Sequence, residues 1–191
     1  MTEDEVDRTE TIELPVLTTE RLVLRPLVTA DAPAMAALAN DLRVAEMVAS
    51  IPHPYSEDDA LDFIASVAGH PAFAITSRDE GRLMGVVNLR PCSTPGAAEL
   101  GYWLGHDYWG EGYATEAAHA IIDFGFRQFG LPLVEVACRA VNNASRRVIQ
   151  KCGFQYIGTG MTRTLAAGSV ATERYRMDKR LWQAIKAWGR S

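Results

Sequence analysis

The chain has 191 residues, 48% hydrophobic and 23% charged, enough for one sizeable core, and its formal charge of -5 resides in the first 13 residues. Six acids there (Glu3, Asp4, Glu5, Asp7, Glu10, Glu13) face one base, Arg8, so the remainder balances 18 acids against 18 bases and offers no excess positive charge to a nucleic acid or an anionic membrane. The leader has neither the apolar stretch of a signal peptide nor the Arg-rich character of a transit peptide, and no later run is apolar enough to span a bilayer, which points to the cytoplasm.

Residues 1–13 read as a disordered acidic segment and residues 14–191 as a single domain. Alternation from Arg21 to Pro26 predicts a strand over 20–26. Asp31 is placed to cap a helix through Ala39, with Pro33 in its first turn, and a second helical stretch covers 42–49. Ser56 with Asp59 opens a third helix, whose Leu61, Ile64, Ala65 and Ala68 recur at helical spacing until Gly69. Strands are expected at 72–76, 83–89 and 99–104, separated by turn residues, as in an antiparallel meander. The period turns helical from Tyr113 to Phe129. Then come a strand at 133–138, a helix at 144–151, strands at 154–158 and 170–177, and a terminal helix at 181–188. The order β-α-β-α-β implies a partly parallel sheet, so the class is α/β, a mixed sheet flanked by helices.

Cys92, Cys138 and Cys152 are too few and too scattered for a disulfide framework or a cysteine zinc site, and His53, His70, His106 and His119 have no metal-ligand spacing. No metal is expected. Chemistry concentrates instead between the strand ending at Leu104 and the helix starting at Tyr113. There Gly110 and Gly112 allow a turn that gathers backbone N–H groups at a helix N-terminus, a natural anion cradle. Two glycines also make an ordinary tight turn. The segment lacks the Gly-Lys-Ser/Thr ending of a Walker loop and the third glycine of a dinucleotide fingerprint.

Four blocks carry a more specific message: Leu17 to Leu27, Glu99 to Leu104, Tyr108 to Ala117 (YWGEGYATEA) and Asn142 to Phe154 (NNASRRVIQKCGF). In order and spacing they resemble the GNAT superfamily of N-acetyltransferases, and within it the branch of the RimJ/RimL ribosomal-protein N-terminal acetyltransferases. The likeness runs from about residue 16 to 180. It implies a GNAT fold with a mixed, mostly antiparallel sheet of six to seven strands, and acetyl-CoA as acetyl donor. The family's pyrophosphate-binding pattern falls on Trp109, Gly112 and Ala114, and the loop around it adds Leu104, Gly110, Glu111, Tyr113 and Thr115 as coenzyme-binding candidates. Trp109 replaces the usual Gln or Arg, which matters little where backbone N–H groups make the contacts. Asn142 corresponds to an asparagine that bonds the coenzyme in relatives, though it also suits a plain helix N-cap. Arg146 is within reach of a phosphate, as is Arg147, and each also suits a solvated helix face.

The resemblance places Glu99 where many relatives carry a glutamate base, against the alternative of an exposed strand residue. It also opens that strand at a bulge, so that a backbone N–H near Tyr102 to Leu104 serves the thioester oxygen. The usual acid, a tyrosine four residues before the Gly-Phe pair, is replaced by Ile149, and Ser145 is the nearest hydroxyl. The expected activity is transfer to a primary amine, such as a protein or peptide N-terminal α-amine, by direct attack in a ternary complex. A small-molecule amine acceptor and a non-catalytic CoA-binding module are the alternatives. Segments 42–59 and 161–170 should shape the acceptor side, and Trp182 and Trp188 suit either a core or a homodimer contact.

Overall fold

The computed structural model describes residues 13–188, so the expectation for the acidic leader falls, but for Glu13, outside the described residues. Its strands are β1 (Leu17–Thr18), β2 (Leu22–Pro26), β3 (Ala72–Ser77), β4 (Leu83–Pro91), β5 (Ala98–Leu104), β6 (Leu133–Arg139), β7 (Gln155–Thr164) and β8 (Gly168–Asp178). Its helices are α1 (Ala32–Ala39), α2 (Leu42–Ala45), α3 (Glu57–Ser66), α4 (Tyr113–Arg127), α5 (Asn143–Cys152) and α6 (Lys179–Trp188). The strands form one sheet in the order β1-β2-β3-β4-β5-β6-β8-β7, antiparallel throughout except between β5 and β6. The sheet therefore has eight strands, the addition being β1, a two-residue edge too short to show a period.

Strand alternation sorts the core onto the two faces of the sheet. Leu22, Leu24, Phe73, Ile75, Val87 and Leu89 meet Ala117, Ile121, Ile122 and Phe124 of α4, together with Ile149 and Cys152 of α5. Ala74, Val86 and Trp103 point the other way, onto Met35 and Ala39 of α1, Val44 of α2 and Ala60 of α3. Each large side chain fully buried in this way contributes about 1.5–3 kcal/mol. Gly125 lets α4 lie against the sheet, because a Cβ there would stand 2.7 Å from Leu89 Cδ1.

Two elements differ from their sequence reading by more than a shift of their ends. The stretch 42–49 is helical only to Ala45, after which Met47 and Val48 make i→i−3 bonds and Arg139 donates to the Glu46 carbonyl, drawing it out of a helical ladder. β7 continues to Thr164 instead of ending at Gly158, since Gly158, at φ 142°, absorbs a register shift in the pairing with β8. Ser56, by contrast, forms the expected capping box with Asp59. No helix among the described residues is long and apolar enough to cross a membrane.

Candidate functional site

β5 and β6 pair only at Ala98↔Val134 and Glu99↔Glu135 and then part. β6 instead follows β8 along its whole length, from Leu133↔Asp178 to Arg139↔Thr172, so the edge of β5 beyond Glu99 faces no strand among the described residues. A cleft of about 660 Å³ occupies the fork. The bulge expected near Tyr102 to Leu104 is absent: pairing with β4 runs regularly from Gly85↔Leu104 to Pro91↔Ala98, and divergence of β6 does the opening. Unpaired backbone groups of β5 border the cleft all the same.

At the open end of the fork lies the glycine turn. Gly110 and Gly112 take φ of 84° and 85°, the left-handed region that only glycine enters without strain. Gly112 is the N-cap of α4 and brings no side chain to cap it, leaving the first-turn N–H groups for an outside partner. Leu104, Trp109, Gly110, Gly112, Tyr113, Ala114 and Thr115 all line the cleft. Trp109 donates its indole N–H to the Leu104 carbonyl at 2.9 Å, tying the turn to the end of β5.

A brace from the far edge of the sheet holds the turn. Arg21 donates through Nε to Glu116 Oε2 at 2.8 Å and through Nη1 to the Glu111 carbonyl at 2.9 Å, while its guanidinium lies 4.5 Å from the centre of the Tyr113 ring. Glu116 also accepts from the Thr19 hydroxyl and the Arg21 N–H. Burial alone would raise the Glu116 pKa, but these donors and the Arg21 charge outweigh it and hold the carboxyl below its ordinary range. Glu111 faces Arg21 through its carbonyl and does not line the cleft.

On the opposite wall, Asn142 and Ser145 both line the cleft, and Asn142 Oδ1 accepts the Ser145 N–H at 3.0 Å, so the asparagine does cap α5. The Ser145 hydroxyl stands 2.7 Å from the Tyr102 hydroxyl of β5, bridging the fork. Ile149, 1% exposed, packs into the core. Arg146 turns away from the cleft: Glu173 takes its Nε at 2.7 Å and its Nη2 at 2.9 Å, and Asn143 and the Ala140 carbonyl take further donors. The cations lining the cleft are Arg90, Arg147 and Lys151.

Glu99 sits at the vertex of the fork and lines the cleft, with Arg90, its cross-strand neighbour on β4, at 3.3 Å. It is the sole carboxylate among the described residues that do so. Beside it Asn88 lies over Gly101, where a Cβ would come within 2.8 Å of Asn88 Oδ1, a buried atom without a hydrogen-bond partner among the described residues. Val44, Val48, Phe63, Val67 and His70 complete this side, and the β7–β8 turn reaches it through Leu165 N–H to the Ala49 carbonyl at 3.1 Å. The two segments expected at the acceptor side thus meet each other. Arg21, Asn88, Arg90, His70 and the Tyr102 hydroxyl are not among the site residues expected from the sequence. Arg21 and Glu116 belong to two family blocks that nothing in the sequence connects, and the others give no local signal.

A family model described as an acetyltransferase (GNAT) domain matches residues 21–155. An uncharacterized N-acetyltransferase of Bacillus subtilis, YnaD, is 30% identical over 144 residues, 74% of this chain and 84% of its own length. The FsC-acetyl coenzyme A-N(2)-transacetylase of Aspergillus fumigatus is 30% identical over 158 residues, 76% of this chain and 67% of its own. Among solved structures, a GNAT-family acetyltransferase from Bacillus anthracis superposes with a TM-score of 0.77 at 23% identity, covering 87% of this chain and 99% of that one.

Proposed function

The chain belongs to the GNAT acetyltransferase family, enzymes that move an acetyl group from acetyl-CoA to nitrogen, and on that premise we propose that its acceptor is the α-amine of a protein or peptide, attacked directly in a ternary complex, as in the RimJ/RimL branch. The observation that carries this reading is the fork between β5 and β6, with the glycine turn at its open end and Glu99 at its vertex. The turn suits a pyrophosphate: two left-handed glycines, an uncapped helix N-terminus and the nearby cations Arg147 and Lys151 all favour an anion.

In this assignment the N–H groups of Gly112 to Thr115 hold the coenzyme phosphates, and the free edge of β5 holds its extended arm. A β5 N–H beyond Glu99 stabilises the charge that develops on the thioester oxygen. Glu99, directly or through water, takes the proton that the attacking amine releases, and Ser145 gives one to the departing sulfur. Arg147 and Lys151 replace Arg146 as phosphate partners, since Glu173 already holds the Arg146 guanidinium. None of the three cysteines is needed as a nucleophile. Cys152 in particular is buried, and burial pushes its thiol up to about 12, so it stays protonated.

The α-amine follows from the modest equipment for deprotonation. An α-amine titrates at about 7.7–8.0 and has a useful neutral fraction near neutrality, whereas a lysine amine near 10.4 needs a stronger base than one Arg-paired carboxylate. The reading carries the cytoplasmic location expected from composition. Its test compares peptides with free α-amines against N-terminally blocked peptides containing lysine, by acetylated mass. Faster turnover of the blocked lysine peptides, or of a polyamine, overturns the acceptor.

A further inference from the structure

A phenol reaches the cleft from an unexpected direction. The family's tyrosine position on α5 holds Ile149, which packs in the core and has no proton to give. Tyr102 approaches instead from β5, lines the cleft, and sets its hydroxyl 2.7 Å from Ser145 Oγ and 3.3 Å from the Ser145 carbonyl. No other described side chain contacts that hydroxyl by a hydrogen bond. The pair bridges the cleft between β5 and the first turn of α5.

We propose that Tyr102 completes the acid in this site as a positioning residue, donating its hydroxyl hydrogen to Ser145 Oγ so that the Ser145 proton points at the departing sulfur. The inference rests on the acetyltransferase reading. As the amine nitrogen forms its bond to the acetyl carbon, the carbon–sulfur bond breaks and its electron pair stays on sulfur. Sulfur takes the Ser145 hydroxyl proton while Ser145 Oγ takes the Tyr102 proton. The proton shed by the amine leaves through Glu99 to solvent, and solvent returns one to Tyr102 before the next turnover.

A serine hydroxyl by itself is a feeble acid, whereas a phenol titrates near 10 in water. Burial raises the Tyr102 pKa and the Ser145 hydrogen bond opposes that rise, so the phenol is protonated at the start of every cycle. Cys138, on β6, also faces Ser145, but burial holds its thiol above its ordinary range as well, and it is a weaker hydrogen-bond donor than the phenol. Fixing the Ser145 rotor is itself worth rate, because an unheld hydroxyl divides its time among several orientations.

The experiment measures single-turnover thiol release from acetyl-CoA, with an amine that the wild type acetylates, for wild type, Tyr102→Phe, Ser145→Ala and the double variant, in mixtures of light and heavy water. Tyr102→Phe should slow the step about ten- to a hundredfold with little change in acetyl-CoA affinity, and should straighten a curved proton inventory. In the Ser145→Ala background the same change should cost less than twofold, because both residues then lie on one broken path. An equal loss in both backgrounds, a loss confined to acetyl-CoA affinity, or an inventory unaltered by Tyr102→Phe would overturn the relay alone. Failure of the wild type to release thiol with any amine would overturn the acetyltransferase reading beneath it.

Discussion

Arg21 and Glu116 lie 95 residues apart in the chain, yet Arg21 Nε donates to Glu116 Oε2 at 2.8 Å and clamps the start of β2 to the first turn of α4. The same guanidinium takes the Glu111 carbonyl and lies against Tyr113, so it touches the glycine turn from three directions. The turn is therefore fixed from outside the cleft. Charge-assisted bonds are worth about 1.5–3 kcal/mol when shielded, but Arg21 is 43% exposed and solvent reduces the figure. Arg21→Met should weaken acetyl-CoA binding by about five- to tenfold in calorimetry while the rate at saturation stays within about twofold. An unchanged affinity would show that the turn needs no brace.

Gly112 is held by its backbone conformation. A side chain at φ 85° costs about 1–2 kcal/mol, although its Cβ would make only ordinary contact, 3.4 Å from Arg21 Nη2. Acetyl-CoA at a hundred times its dissociation constant should stabilise the wild type by about 2.7 kcal/mol, and ATP should not. Gly112→Trp should lose that gain in a thermal shift assay. A normal response in the variant would move the coenzyme elsewhere.

Glu99→Gln should lower turnover by roughly 10² to 10⁴ and leave coenzyme binding nearly unchanged, with partial recovery as pH rises and more of the amine is neutral. Ser145→Ala should cost less, since juxtaposing amine and thioester supplies much of the rate. A pH-rate profile identical to the wild type would return Glu99 to the role of a strand residue paired with Arg90.

Acid stability should track two carboxylates. Burial would raise the Asp31 pKa, but Arg25, at 2.8 and 2.6 Å, and the Val28 N–H together bring it below its ordinary value; Glu116 is lowered likewise. Folded pKa values below the unfolded ones, about 3.9 and 4.3, mean a contribution complete above those values and lost as pH falls through the folded ones. The melting temperature should accordingly drop more steeply below about pH 4 in the wild type than in Asp31→Asn. Parallel slopes would remove Asp31 from the account.

Much of the fold is legible in the amino-acid sequence. The strands β3 to β6 and α4 announce themselves by period, and Ser56 with Asp59 by spacing, because each signal is local. The glycine turn is legible for the same reason. What stays hidden depends on partners distant in sequence. Arg146 has the same look as Arg147 until Glu173, on β8, claims one of them. Tyr102 reads as one more aromatic strand residue until the divergence of β6 lets α5 bring Ser145 beside it. The extra length of β7 is masked by Gly158 and Gly160, which lower strand propensity, while the pairing with β8 resumes after the register shift at Gly158.

Direct transfer to an amine is tested most simply by mass. The protein is incubated with acetyl-CoA alone and then with acetyl-CoA and a peptide bearing a free α-amine, and intact masses of protein and peptide are read together with released thiol. Direct transfer predicts an unmodified protein in both samples, a singly acetylated peptide in the second, and one thiol for each acetyl group transferred. An acetylated protein that passes its group to the peptide would contradict the ternary complex, and a coenzyme that binds without any amine becoming acetylated would leave a binding module in place of an enzyme.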